Sequence, residues 1–175
     1  METQADATPK KAGFQIRGAV QLGLFLLLVD FTTKIAANAL LPLERLVPTP
    51  VPFFSWRLTY NTGSHYLLGP VGDYIPYRLM MAIALVAVLA LITYLAREVR
   101  VMPPSRLRTV QLLMIATLIG SLGNALEVIA IGRATDWFML HPFPWPSNLC
   151  DQFVNATVFV LLPLSLLLMT RRPAA

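Results

Sequence analysis

Four stretches of about 20 mostly apolar residues constrain the fold of this chain more than any other feature of its sequence. They run from about Ala19 to Leu41, Tyr77 to Leu95, Val110 to Ile131 and Asn148 to Met169. About 20 apolar residues in a helix suffice to cross a bilayer. Charged residues make up only 13% of the chain, whereas soluble domains contain about a quarter. The sequence therefore predicts an all-α integral membrane protein with four transmembrane helices.

The segments between these spans predict a single four-span domain at residues 14–172, preceded by a flexible cytoplasmic segment at residues 1–13. The longest connection, residues 42–76, contains "PFFSWRLTYNTGSHYLL", in which Phe54, Trp56, Leu58 and Tyr60 alternate with polar residues. This alternation is typical of a short, half-buried strand. We therefore expect an extracytoplasmic cap, formed as a small β-like sheet or an amphipathic segment. The connection from residue 132 to 147 contains "HPFPWP", which indicates a structured interfacial loop.

The basic residues predict the orientation of the spans. Excess Lys and Arg mark the cytoplasmic side of a membrane protein. Most basic residues lie before the first span, between the second and third spans, or after the fourth: Lys10, Lys11, Arg17, Arg97, Arg100, Arg106, Arg108, Arg171 and Arg172. We therefore expect both termini to be cytoplasmic and the first span to remain uncleaved. The net charge of +5 comes from basic residues whose positions fit membrane orientation, so no nucleic-acid partner is expected.

Polar residues within the spans are predicted to gather at one depth. With this orientation, the outer halves or ends of three spans carry Asp30, Lys34, Asn124, Glu127 and Asp151. Asp30 and Lys34 are four residues apart and can pair on one helical face. Because ionisable groups inside a membrane are costly and face a bundle interior or a cavity, such a cluster indicates a functional site at the extracytoplasmic leaflet.

Two carboxylates of this region suggest a reaction. Asp136 lies just beyond the third span and Asp151 begins the fourth, so the loop between them can bring the two side chains together. Two close carboxylates share a proton, and one then acts as general base on water while the other acts as general acid. The pair thus predicts amide-bond hydrolysis. The alternatives are an interfacial loop residue for Asp136 and a helix N-cap for Asp151.

Other chemistries are less well supported by the sequence. Ser64 and His65 are adjacent, but adjacency does not make a nucleophile–base pair. His65, His141 and Asp136 lack the spacing of metal ligands, so neither a metal nor another cofactor is expected. The single cysteine, Cys150, excludes an internal disulfide and is interpreted as an inert packing residue.

Five short blocks, in order, resemble the signal peptidase II family over nearly the whole chain. "DFTTK" resembles the family's Asp-x-x-x-Lys motif, and "NTGSHYLL" resembles its Asn-x-Gly-Ala-Ala-Phe block. "GSLGNALEV" resembles Gly-x-x-Gly-Asn-x-x-Asp-Arg, "GRATDWF" resembles Gly-x-Val-Val-Asp-Phe, and "SNLCDQ" resembles Phe-Asn-x-Ala-Asp-Ser.

The resemblance implies a membrane aspartic endopeptidase that cleaves diacylglyceryl-modified prolipoproteins just before their lipidated cysteine. It implies that Asp136 and Asp151 are catalytic. Structural or substrate-orienting roles are implied for Asp30, Lys34, Asn61, Gly63, Asn124, Glu127 and Asn148. We expect a monomer in the bacterial cytoplasmic (inner) membrane, with prolipoproteins and membrane lipids as partners.

Departures from the family pattern leave two alternatives. The family's Asp-Arg is Glu127-Val128 here, and Ala-Ala-Phe is Ser64-His65-Tyr66. These changes motivate a non-catalytic, lipoprotein-binding member of the same family. A four-span transporter with a proton relay is a further alternative, but it predicts polar groups distributed across the bilayer rather than gathered at one side.

Overall fold

The computed structural model describes residues 8–63, 75–143 and 145–170, with side chains from Gln15 onward. Four helical stretches in these residues are long and apolar enough to cross a membrane: Gln15–Leu40, Tyr77–Val101, Arg106–Ile131 and Leu149–Thr170. The predicted four-span architecture is therefore confirmed. Residues 64–74, which include Ser64-His65-Tyr66, lie outside the described residues.

Two of the four spans are not continuous α-helices. The helices are α1 (Thr8–Leu40), α2 (Tyr77–Val101), α3 (Arg106–Gly120), α4 (Leu122–Ile131), α5 (Leu149–Asn155) and α6 (Leu162–Thr170). The third span breaks at Ser121, between α3 and α4, and the fourth contains a π-helical segment, Ala156–Leu161. α1 begins at Thr8, so its first residues belong to the segment predicted to be flexible.

The break in the third span is stabilised by the single cysteine. Cys150 is buried; its thiol donates to the carbonyl of Ser121 at 2.8 Å and accepts from the backbone N–H of Asn124 at 3.3 Å. Backbone groups freed by a break in a membrane helix need such partners. Cys150 is thus a structural hydrogen-bonding residue as well as a packing residue.

A four-stranded antiparallel sheet caps one end of the helices, which we call the sheet end. Its strands, in spatial order, are β1 (Val47–Pro48), β2 (Phe54–Asn61), β3 (Ala134–Leu140) and β4 (Pro146–Ser147). The strand expected in the first connection is confirmed as β2. The interfacial loop expected at residues 132–147 is wrong in its main part, because β3 pairs along β2 from Phe54↔Leu140 to Asn61↔Ala134. Of the "HPFPWP" stretch, His141 and Pro142 lie in the turn after β3, and Pro146 begins β4.

Away from the sheet, the helices pack around an apolar cluster, which we call the apolar end. Its fully buried members come from α1, α2 and α3: Ala19, Leu95, Val99, Val110, Met114, Ile115, Leu118 and Ile119. α1 approaches α3 closely at Gly23, where a Cβ atom would lie 2.6 Å from the Cβ of Ile119. Small residues allow this approach, which the bilayer itself does not drive.

Candidate active site

The two aspartates singled out in the sequence meet at the same asparagine. Asp136 lies on β3 and Asp151 in the first turn of α5. The side-chain amide of Asn148 donates to Asp136 Oδ1 at 2.5 Å, and its backbone N–H donates to Asp151 Oδ2 at 3.1 Å. One residue therefore holds both carboxyl groups at the junction of sheet and helix.

Asn148 is placed by the start of α5. It is the N-cap of this helix, and its side-chain oxygen accepts from the N–H of Asp151 at 3.1 Å. Together with the reciprocal bond to Asp151 Oδ2, this forms a capping box. The alternative role considered for Asp151, a helix N-cap, belongs to Asn148 instead, and Asp151 serves the cap as its third residue.

Lys34 of α1 links several polar residues of this site. Its ammonium group lies 2.9 Å from Asp30 Oδ2, 3.0 Å from Glu127 Oε2 and 2.6 Å from Asn124 Oδ1. The predicted Asp30–Lys34 pair is therefore present. Because Lys34 occupies the oxygen of the Asn124 amide, the amide NH₂ group is left to donate to Asp151 Oδ1 at 2.8 Å. The charge on α1 thus orients a hydrogen bond to Asp151.

Asp30 is fully buried beneath this cluster. Its Oδ1 accepts from the backbone N–H of Cys150 at 2.9 Å, an otherwise unpaired donor of the first turn of α5. A Cβ atom at Gly123 would collide with Asp30 Oδ2, so a glycine is required there for α1 and α4 to meet. Asp30 therefore joins α1 to the start of the helix that carries Asp151.

Thr135 belongs to this network, and the sequence interpretation missed it. Its hydroxyl donates to Glu127 Oε1 at 2.5 Å and its backbone N–H donates to Glu127 Oε2 at 3.1 Å. The available signal was its position next to Asp136 on a strand, where neighbouring side chains point to opposite faces.

Asn61 and Gly63 are not brought into this network by the contacts of the described residues. Asn61 pairs with Ala134 at the end of β2, and its side-chain oxygen accepts from the N–H of Gly63 at 3.1 Å. Asn61 is the last residue of the strand that pairs with β3 and Gly63 follows that strand, and neither touches an aspartate through a described hydrogen bond.

Burial and charge make Asp136 hard to ionise. Its side chain is 5% exposed. Desolvation, and then the nearby charge of Asp151, raise the pKa of Asp136 to about 8, against the opposing hydrogen bond from Asn148. Asp151, in contrast, accepts three hydrogen bonds, from Asn124, Asn148 and, at 3.2 Å, the hydroxyl of Ser147.

Two cavities flank the site. One of about 420 Å³ is lined by Ser147, Gln152 and Asn155 on its polar side and by Phe143, Trp145 and Phe159 on its apolar side. Ser147 also donates to Asp151, so the lining of this cavity is one hydrogen bond away from that aspartate. The other, of about 580 Å³, lies beside Lys34, Glu127 and Thr135. In the described part of the chain, no three His, Cys, Asp or Glu side chains are placed to hold a metal ion.

Comparison with known proteins gives one consistent result. The family model described as signal peptidase (SPase) II matches residues 22–167. A lipoprotein signal peptidase of Rhodopseudomonas palustris is 33% identical over 131 residues, which are 72% of this chain and 73% of that protein. One from Coxiella burnetii is 29% identical over 157 residues, 87% of this chain and 91% of that protein. A bacterial membrane enzyme solved by the in meso method at 2.3 Å aligns with a TM-score of 0.68 at 16% identity, covering 90% of this chain and 93% of that one.

Proposed function

Because this chain belongs to the signal peptidase II family, we propose that it removes the signal peptide from diacylglyceryl-modified prolipoproteins by cutting just before their lipidated cysteine. The family match makes it a protease, and the four apolar helices make it a multi-pass bacterial membrane protein. The aspartic mechanism is supported by one observation above the others: Asp136 and Asp151 are both hydrogen-bonded to Asn148.

The environments of the two aspartates suggest their roles. Asp136, whose pKa is raised to about 8, carries the proton of the dyad at neutral pH, and Asp151, which accepts three hydrogen bonds, is assigned as the base. Asp151 takes a proton from water as that water attacks the scissile carbonyl carbon, while Asp136 protonates the carbonyl oxygen. The resulting diol then collapses: the C–N bond breaks, the leaving nitrogen takes the proton from Asp151, and Asp136 recovers its proton from a hydroxyl of the diol. The dyad returns to its starting state.

The residues around the dyad orient it rather than react. Asn148 and Asn124 hold the carboxylates, and Lys34 fixes the orientation of the Asn124 amide. Asp30, at the base of the network, anchors the first turn of α5. We propose that these residues hold the two carboxyl groups in the reactive arrangement, because groups that are already in place need no rearrangement during the reaction. Asn61 and Gly63 are proposed to act through the strand beside Asp136.

Replacing either aspartate tests the proposal. Asp136→Asn and Asp151→Asn keep the shape of each side chain and remove its proton chemistry. Each should lower kcat for cleavage of a diacylglyceryl-modified prolipoprotein by about 10²- to 10⁴-fold. Glu44→Gln, at an exposed carboxylate beside the sheet, is the control for loss of an acidic side chain and should keep the parental kcat. Variants of Asp136 and Asp151 that cut at the parent rate would refute the dyad.

A non-catalytic, lipoprotein-binding role is the alternative. It is not favoured, because the relatives are named as peptidases and both aspartates of the dyad are present. Cleavage by the unmodified protein that is lost in Asp136→Asn eliminates it. Binding of the lipidated substrate without any cleavage by the unmodified protein would establish it.

We also propose that the sheet end faces outward, that both termini are cytoplasmic, and that the monomer is sufficient for activity. Arg97 and Arg100 lie at the opposite end from the sheet, which is the end the positive-inside rule assigns to the cytoplasm. Val51→Cys should react with a membrane-impermeant thiol reagent in intact cells, and Val101→Cys only after lysis. Cys150 is buried and should not interfere. The reverse labelling pattern would contradict this orientation.

A further inference from the structure

In the part of the chain that the structure describes, strand β3, which carries Asp136, lacks a neighbouring strand on one side at Thr135, the residue before Asp136. β4 pairs with β3 only at Phe138 and Met139, whereas β2 covers the other edge as far as Ala134. The backbone N–H and C=O of Thr135 point to the edge that β4 does not reach. Buried backbone groups require partners, and among the described residues no strand supplies them.

Side chains of two helices take the place of that strand. Glu127 of α4 accepts the N–H of Thr135 at 3.1 Å, and the Asn148 amide donates to the carbonyl of Thr135 at 3.3 Å. Glu127 also accepts the Thr135 hydroxyl at 2.5 Å. Thr135 is 2% exposed, so these bonds are shielded from water.

These contacts connect Thr135 to both halves of the dyad. Its carbonyl belongs to the peptide bond that precedes Asp136, and the Asn148 amide that holds this carbonyl also holds Asp136 Oδ1. Glu127 is itself fixed by Lys34, which orients the Asn124 amide toward Asp151. A displacement of Thr135 would therefore move Asp136 relative to Asp151.

We infer that Thr135 is a positioning residue for Asp136, held by Glu127 in place of a fifth strand; the inference rests on the proposed aspartic mechanism. Thr135 does not touch the reacting atoms, since its side chain points to Glu127 and away from Asp136. Its effect is on the alignment of the dyad, where a shift of about 1 Å can lower a rate by about 100-fold. Thr135 also lines the cavity of about 580 Å³, so the test needs a substitution that keeps the side-chain volume and therefore the shape of that cavity.

Thr135→Val tests this inference, because it removes the hydroxyl and keeps the side-chain volume. We expect kcat to fall by about 10- to 100-fold with KM within about 2-fold of the parent value. Thr135→Ser restores the hydroxyl and should return kcat to within about 3-fold of the parent. A parental kcat in Thr135→Val, a Thr135→Ser variant as slow as Thr135→Val, or a change confined to KM would each overturn the inference.

Thr157→Val is the matched control for loss of a buried threonine hydroxyl. Thr157 is 5% exposed, and its hydroxyl contacts that of Thr117 at 2.7 Å and the carbonyl of Phe153 at 2.8 Å. Its replacement should lower the Tm to a similar extent as Thr135→Val but leave kcat unchanged. If both variants lower kcat equally, the effect is one of general packing and the inference fails.

Further comparisons keep the test decisive. If Thr135→Val does not fold, Thr135→Ala and Thr135→Ser are compared at low temperature: a slow Ala variant beside an active Ser variant supports the inference, and equal rates overturn it. The parent and Asp136→Asn are assayed in parallel. If the parent cuts, Asp136→Asn is inert and Thr135→Val is fully active, then the inference about Thr135 fails and the proposed function stands. An active Asp136→Asn contradicts the proposed function itself.

Discussion

The apolar end and the sheet end of the helical bundle are built around buried clusters of opposite character, although Arg108 and Gln111 of α3 are also buried at the apolar end. At the apolar end the buried cluster consists of aliphatic side chains and Met114. At the sheet end the buried residues include Asp30, Lys34, Thr135, Asp136 and Asn148. Lipid is as apolar as a leucine side chain, so the first end is held by close packing. The second end is held by hydrogen bonds, which specify geometry. Mutations should therefore separate the two ends into a packing region and a catalytic region.

The largest effect is expected when the sheet end loses Lys34. Lys34→Met leaves Asp30 and Glu127 without their cation and frees the Asn124 amide. Breaking a buried ion pair costs about 3–5 kcal/mol, so both the Tm and kcat should fall, kcat by about 100-fold. The measurements are a thermal melt and the cleavage assay. Arg57→Met, which breaks the exposed Arg57–Glu44 pair, is the control and should cost about 1 kcal/mol or less. A Lys34→Met enzyme with parental kcat would remove the catalytic distinction between the two ends.

The apolar end should respond in stability alone. Ile115 is fully buried in the apolar cluster, and Ile115→Ala creates a cavity that costs about 2–5 kcal/mol. We expect a lower Tm with kcat within about 2-fold of the parent when both are assayed well below their Tm. If Ile115→Ala lowers kcat as strongly as Lys34→Met, then the two ends are coupled and the comparison breaks down.

Two glycines where the first span meets the third span offer a finer comparison. In Gly23→Ala the new Cβ would meet Ile119 and Ala116, and in Gly123→Ala it would meet Asp30. Overpacking costs about 1–3 kcal/mol at either site. Only Gly123→Ala should also lower kcat, by about 10-fold, because it displaces a carboxylate that anchors α5. Thermal melts and cleavage rates of the two variants give the answer, and equal kcat values would show that Asp30 does not affect the dyad.

A smaller effect is predicted for the pH dependence of stability at the sheet end. The pKa of Asp136 is raised to about 8 in the folded protein, above the value of about 4 expected when unfolded. Between these values the folded state binds more protons, so the stability contributed below pH 4 is lost as pH rises through 8. Asp136→Asn does not titrate, so the amount by which its Tm exceeds that of the parent should be larger at pH 8 than at pH 5. A Tm difference that does not change with pH would show that folding does not raise the pKa of Asp136.

The same proton predicts the alkaline limb of the activity profile. As pH rises through about 8, Asp136 loses the proton that it donates to the scissile carbonyl, so kcat should fall. Ile115→Ala should keep the parental pH profile, because its cavity lies far from the titrating groups. Cleavage rates measured between pH 6 and 10 test this, and a rate that still rises at pH 10 would contradict Asp136 as the acid.

The sequence by itself determined the four spans, the polar character of one end and the identity of the candidate dyad. Apolar runs of membrane length and residues spaced along a helix are local features, and local features can be interpreted without knowing the fold. The Asp30–Lys34 pair, four residues apart on α1, is such a case. Motif order added Asp136 and Asp151, which no local pattern would have distinguished from a loop aspartate and a helix cap.

Only the tertiary structure decided how those residues are held. Asp136 lies on a strand rather than in a loop because β2, from a distant part of the chain, pairs with it. Thr135, the hydrogen bonds of Cys150 and the bridging role of Asn148 depend likewise on contacts between different spans. Strand pairing and buried polar networks join residues that are remote in sequence, and their geometry is set by which partners the folded chain brings within hydrogen-bonding distance.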